Sequence, residues 1–248
     1  MIDERALREL ELLSVARLYG LASANAAGAA PAALGEARPV DSPSAGASWE
    51  ELRALVADCR ACGLCKQRKQ AVFGVGAQAG PWLFGGEGPG ADEDEQGEPF
   101  VGQAGRLLDN MLAAIGCKRG RDVYIANVVK CRPPGNRTPT PQESAACAPF
   151  LDRQIELVAP RLIVALGKTA IVRLLGTEAS VASLRGTVHR YKGIPVVVTY
   201  HPAYLLRSPP EKSKAWEDML FARRTLRTQS VAAVLDEAAD PSNRGSEL

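Results

Sequence analysis

The sequence predicts an α/β fold, a three-layer α/β/α sandwich around a central four-stranded parallel sheet. Two observations carry the expectation. Four short apolar runs, residues 81–86, 123–129, 161–166 and 194–199, have strand length, and helical segments lie between them. Strands that alternate with helices imply parallel pairing, with helices covering both faces of the sheet. At 248 residues and 46% hydrophobic content, the chain can bury one substantial core plus an appendage.

In chain order, residues 1–21 read as a helical extension, with Leu7, Leu10, Leu13 and Leu18 at near-helical spacing. The sequence names no partner for it. Residues 22–47, rich in Ala, Gly, Pro and Ser, offer too little apolar surface to order themselves and read as a flexible linker. The folded domain is expected over residues 48–229. Ser48-x-x-Glu51 is a capping box that opens a helix through Leu52, Leu55 and Val56. That helix runs into Cys59-Arg-Ala-Cys62-Gly-Leu-Cys65. Leu107, Leu108, Met111, Leu112 and Ile115 mark the next helix, closed by Gly116. Thr140-Pro-Gln-Glu143 caps another, with Pro141 at its first position, and Pro149 is expected to break or restart it. A final helix is expected over 211–228, and a disordered tail over 230–248.

A net charge of +2 supplies no strong global field for nucleic acid. Lys118, Arg119, Arg121, Lys130, Arg132 and Arg137 do fall in one short stretch, which fits either a solvated face or a binding site. No apolar run is long enough to span a bilayer, and MIDERALREL has no signal-peptide core. A cytoplasmic monomer without a membrane partner is expected. In that reducing compartment, six cysteines argue for metal or cluster ligation over disulfides.

Ligands of parallel sheets bind outside the carboxyl ends of the strands. There the pattern puts Glu87, Asn127, Gly167 and His201, so an acid, an amide and an imidazole converge on one edge. Glu87 sits in GGEGPGADEDEQGEPFVG, residues 85–102, a glycine-rich turn that lets the backbone approach a ligand. Gly86-x-Gly88-x-x-Ala91 fits a dinucleotide fingerprint only loosely. The carboxylates of Asp92 to Glu95 would repel a pyrophosphate, and the following strand ends in Asn127 instead of an acid. Gly167-Lys168-Thr169 fails as a P-loop because Leu162 stands where a glycine is required, and it reads as an ordinary strand-to-helix turn. Cys59-x2-Cys62 can pair with Cys131 and Cys147 to give four thiolates, although Cys65 extends the first pair. The cysteines alone fit zinc and iron–sulfur equally.

GGEGPG, EPFVG, IANVVKCRPP and HPAYLLR occur in the order of the motifs of the uracil-DNA glycosylase superfamily. Over residues 50–225 the chain resembles its iron–sulfur, family 4 members. The resemblance implies an enzyme that flips uracil out of DNA and hydrolyses its N-glycosidic bond, leaving an abasic site. It implies catalytic roles for Glu87, Asn127 and His201, and a uracil pocket formed by these with Gly86, Gly88 and Phe100. It selects Cys59, Cys62, Cys131 and Cys147 as ligands of a structural [4Fe–4S] cluster, leaving Cys65 and Cys117 spare. Lys130 and Arg137 would contact phosphate. Leu205, with Leu206 as the alternative, would fill the hole left by the flipped base beside Arg207. Other families exclude thymine with a bulky ring where this chain has Gly90, and Glu93 is the candidate substitute. Glu98 stands where a basic residue is common in the family.

Three other classes fit less well. An electron carrier leaves Glu87, Asn127 and HPAYLLR without a purpose. A relative that traps uracil-DNA covalently needs a histidine in the loop Arg132 to Pro141, which has none. A non-catalytic DNA-binding module does not need the three-residue set.

Overall fold

Five-residue apolar runs at the centre of the chain pair into a sheet whose middle strands are buried at every position, as a sheet covered on both faces requires. The computed structural model describes the backbone of residues 44–239 and the side chains of residues 44–229. The N-terminal helix expected over residues 1–21 and the linker up to residue 43 lie outside the described residues, as do residues 240–248.

The strands are β1 (Val75–Gly76), β2 (Trp82–Gly86), β3 (Val123–Asn127), β4 (Leu162–Leu166), β5 (Val188–Tyr191) and β6 (Ile194–Thr199), in the spatial order β1-β3-β2-β4-β6-β5. The expected four-stranded parallel sheet is therefore corrected to a six-stranded mixed one. The four predicted strands pair in parallel at its centre, and antiparallel β1 and β5 close its two edges. Strand β1 has only two residues, too short for a periodic signal. Strand β5 joins β6 through Lys192-Gly193, both at positive φ, the two-residue turn whose twist suits a hairpin.

The helices are α1 (Trp49–Ala57), α2 (Ala91–Gln96), α3 (Gln103–Ala114), α4 (Pro141–Val158), α5 (Lys168–Leu175), α6 (Val181–Leu184), α7 (Pro202–Arg207) and α8 (Lys212–Ala239). Two apolar clusters follow from the alternation of side chains along the strands. Leu83, Ile163 and Val198 pack with Leu52 of α1, Leu151 and Ile155 of α4, and Ile171 of α5. Phe84, Ile125, Val164 and Val197 pack with Leu108 and Leu112 of α3 and Met219 of α8. Each fully buried side chain of this size contributes about 1.5–3 kcal/mol.

The capping boxes at Ser48 and Thr140 are both formed. Pro149 does not break α4. Its missing N–H costs a helix about 3 kcal/mol, but Cys147, Phe150, Leu151, Gln154, Ile155 and Val158 bury one face of α4 and hold it continuous. Ser44 and Ala47 are buried, and Arg153 Nε donates to the Ala47 carbonyl at 2.8 Å, so the last residues read as linker are packed. Helix α8 extends past residue 228 to Ala239. No helix among the described residues is long and apolar enough to cross a membrane.

Parallel register brings the carboxyl ends of the central strands level: Gly86 lies opposite Asn127, and Leu166 opposite Thr199. Whatever follows those residues shares one edge of the sheet.

Candidate active site

At that edge lies a cavity of about 450 Å³ whose lining includes Glu87, Gly88, Phe100, Asn127 and His201. The expected convergence of acid, amide and imidazole is thus present in space. Gly86 sits beneath the cavity. A Cβ there would come within 2.4 Å of Asn127 Oδ1 and 2.7 Å of the Phe100 ring, so only glycine lets amide and ring close over β2.

Asn127, 2% exposed, has a buried Oδ1 with no hydrogen-bond partner. Leaving a buried carbonyl oxygen unpaired costs roughly 1–3 kcal/mol, and a donor brought by a ligand would recover it. His201 caps α7: its Nδ1 accepts from the Ala203 N–H at 3.2 Å. That bond fixes the tautomer, leaving Nε2–H as a donor. Burial, helped by the Arg207 guanidinium, lowers the imidazole to about 4, so it is neutral at pH 7. Glu87 accepts a short hydrogen bond from Thr169 Oγ1, which orients its carboxylate.

Phe100 stacks beside His201, ring centroids 5.4 Å apart, and holds φ at +57°, a strained conformation for a bulky residue. Two side chains keep it there. Arg119 donates to the carbonyls of Pro99 and Phe100 at 2.8 Å each. Glu93 Oε1 accepts from the N–H groups of Val101 and Gly102 at 2.9 and 3.1 Å, while its Oε2 accepts from Gly90 at 3.0 Å. Gly105 completes the fit, since a Cβ there would strike the Phe100 carbonyl oxygen at 1.7 Å.

The other predicted contacts divide. Arg137 and Arg207 line the cavity. Arg137 pairs with Glu143 through two hydrogen bonds of 2.8 and 2.7 Å. Lys130 is corrected from a phosphate contact to a core residue. It is 1% exposed, and its ammonium donates to the Asn127 carbonyl at 2.8 Å and to Gln154 Oε1 at 2.6 Å. Those two buried acceptors hold the side chain inward, and burial lowers it to about 8. Leu205 is likewise corrected: it packs into the core at 1% exposure, whereas Leu206 is 39% exposed. Their positions on a short helix point them in different directions, so only Leu206 can meet a ligand.

A second cavity is lined by Cys59, Cys62, Cys65, Cys131 and Cys147. Its sulfur atoms already receive donors: Arg68 Nη1 donates to Cys131 Sγ at 2.8 Å, and the Lys130 N–H to Cys147 Sγ at 3.3 Å. Burial pushes Cys147 up to about 12 and raises Cys62 and Cys131, so these thiols are neutral at pH 7. Among the described residues no three of His, Cys, Asp or Glu stand close enough to hold a single metal ion. All six cysteines are free, and Cys117 is buried elsewhere.

The model of the uracil DNA glycosylase superfamily matches residues 73–220. The type-4 uracil-DNA glycosylase of Thermotoga maritima is 48% identical over 165 residues, spanning 64% of this chain and 85% of that protein. The chain belongs to the type-4 uracil-DNA glycosylases. A type-4 enzyme from Pyrobaculum aerophilum is 44% identical over 178 residues, 68% of this chain and 90% of its own length. A type-5 uracil-DNA glycosylase from the same organism shares 41% identity over 88 residues, 34% of this chain.

Several residues that shape this type-4 site escaped the sequence reading. Thr169 falls in the strand-to-helix turn read as ordinary, and its place beside the Glu87 strand is the signal that could have found it. Arg119 belongs to a basic run in the sequence, yet its guanidinium donates to the carbonyls on either side of the Phe100 Cα. Glu93, raised as a means of excluding thymine, lines the cavity while its carboxylate is committed to three backbone donors.

Proposed function

We propose that this chain excises uracil from DNA, hydrolysing the N-glycosidic bond and leaving an abasic site for base excision repair. The observation that carries the reading is the buried, unpartnered Oδ1 of Asn127 in a cavity closed by the Phe100 ring and the neutral His201. A base inside a duplex is out of reach, so the uracil must be extruded, at a cost of a few kcal/mol. Stacking on Phe100 returns on the order of 1–3 kcal/mol. Asn127 then accepts from uracil N3–H and donates to O4. Cytosine presents the opposite pattern at both positions and would leave buried groups unpaired.

As the glycosidic bond lengthens, the electron pair moves onto the base and negative charge develops at O2. His201 Nε2–H donates to that oxygen. A neutral imidazole suits the task, because it stabilises the anion without needing a proton from solvent. Positive charge grows on the sugar, and the Glu87 carboxylate, held by Thr169, stabilises it and orients the attacking water. Arg137, Leu206 and Arg207 are the proposed DNA contacts at the rim, with phosphate contacts giving salt-dependent, sequence-blind affinity.

Cys59, Cys62, Cys131 and Cys147 would hold a [4Fe–4S] cluster, for which the thiol-lined cavity and the N–H donors aimed at sulfur are suited. When bound it would supply a covalent cross-link between the segment after α1, the start of the loop that follows β3, and helix α4. Pro133, Asn136, Arg137 and Thr138 of that loop line the uracil cavity, so the role is structural. A reducing cytoplasm suits these free thiols.

The test is uracil release from a labelled oligonucleotide carrying one uracil. Wild-type protein should release it, and Asn127→Ala and His201→Ala should each lose about 100- to 1,000-fold, the typical cost of one such donor. Absence of release by iron-loaded wild type, on single strands and in every pairing context, would refute the reading.

A further inference from the structure

Helix α7 leaves one aromatic side chain at the cavity rim. Tyr204 is 38% exposed and lines the cavity. Its ring stacks on Tyr200, with centroids 5.3 Å apart and planes inclined by 24°. Tyr200 in turn lies beneath the Arg185 guanidinium, 5.7 Å from its centroid. Arg185 is anchored: its Nε donates to both oxygens of Asp218 at 3.0 Å. Asp218 is 2% exposed and also accepts from Thr199 Oγ1 at 2.8 Å. Contacts thus run in series from the buried Asp218 through Arg185 and Tyr200 to Tyr204, whose partly exposed ring lies at the cavity.

The core gains little by supporting a ring that remains outside it. A partly exposed aromatic ring held by a stacked neighbour suits a nucleobase, since every base has a π-face and stacking asks for no particular sequence. A strand that delivers uracil into the cavity must continue past the rim. The neighbour of the extruded base has just lost a stacking partner and is the base within reach.

We propose that Tyr204, backed by Tyr200 and Arg185, is a stacking platform for the nucleobase adjacent to the extruded uracil in the same strand. The proposal rests on the glycosylase reading above and makes Tyr204 a positioning residue for the substrate strand. No bond is made or broken on the platform. It holds the strand while chemistry proceeds at Glu87, Asn127 and His201.

The experiment uses single-stranded oligonucleotides with a central uracil. One has intact neighbours; two others carry a tetrahydrofuran abasic analogue at the 5′ or the 3′ neighbour. For wild type, one of the two replacements should lower kcat/KM about tenfold, within the range of one base–aromatic stack. Tyr204→Ala should show that loss already on the intact strand and be insensitive to the same replacement. Tyr204→Phe, which keeps the ring, should behave as wild type. In all three proteins the rate at saturating DNA should stay within about twofold, because a stack kept throughout the reaction changes KM and leaves kcat alone. The platform is overturned if the losses from Tyr204→Ala and from the abasic neighbour multiply, if Tyr204→Ala matches wild type on single strands, or if neither replacement slows wild type. An effect confined to duplex DNA would also overturn it and point to the opposite strand. Release by wild type without any Tyr204 dependence removes only the platform, whereas no release removes the glycosylase reading with it.

Discussion

The neutral imidazole of His201 gives the most direct physical test of the site. Its value of about 4 lies below the ordinary 6.5, so between those two pH values the unfolded chain takes up a proton that the native protein refuses. Stability present above pH 6.5 is therefore lost as pH falls toward 4. A gap of about 2.5 pH units corresponds to an upper limit of about 3 kcal/mol, of which about 2 kcal/mol should have been lost on going from pH 7 to 4.5. Guanidinium unfolding of wild type and His201→Gln at both pH values isolates this quantity, since the remaining carboxylates act on both proteins alike. Wild type should lose about 2 kcal/mol more than the variant. The chain has two histidines, so subtraction of the variant's imidazole NMR signals assigns His201 directly. A His201 signal that titrates at or above 6.5, or pH profiles of stability that run parallel in the two proteins, would refute the neutral-donor argument.

Two further perturbations test the architecture of the site. Gly86→Ala forces a methyl group to within 2.4 Å of Asn127 Oδ1 and 2.7 Å of the Phe100 ring. Overpacking of this kind costs about 1–3 kcal/mol, so the protein should stay folded by circular dichroism while uracil release falls by about 100-fold or more. By the proposed ligand set, wild type purified with iron should carry iron, sulfide and visible absorbance, Cys147→Ser should lack them and unfold at a lower temperature, and Cys65→Ser should match wild type. Equal iron content in both variants would count against the proposed ligand set.

The sequence made the four central strands legible because burial on both faces demands unbroken apolar runs, and Trp82–Gly86 and Leu162–Leu166 are such runs. It also made the cavity legible, because parallel register alone aligns Glu87, Asn127 and His201. The edge strands were hidden for opposite reasons. Val75–Gly76 is too short to show a period, while Val188–Tyr191 has no buried position and no apolar run to mark it. The inward course of Lys130 and Leu205 is hidden in the sequence because residue type does not reveal side-chain direction. A lysine has the reach to enter the core when a carbonyl and an amide await it, and α7 turns Leu205 inward. Arg119 and Thr169 act on Phe100 and Glu87 across gaps of 19 and 82 residues, and no local pattern spans such distances.

The strained turn at Phe100 bears on how the protein meets DNA. Its left-handed backbone costs of order 1–3 kcal/mol, and the bonds from Arg119 and to Glu93 hold it in the free protein. That conformational expense is thus incurred once, during folding, and does not recur at each lesion. If Phe100 is the stacking surface proposed above, an arriving base meets a ring whose backbone is already set by these bonds. A protein that must inspect a great many undamaged nucleotides for each uracil gains from a receptor that is ready before it arrives.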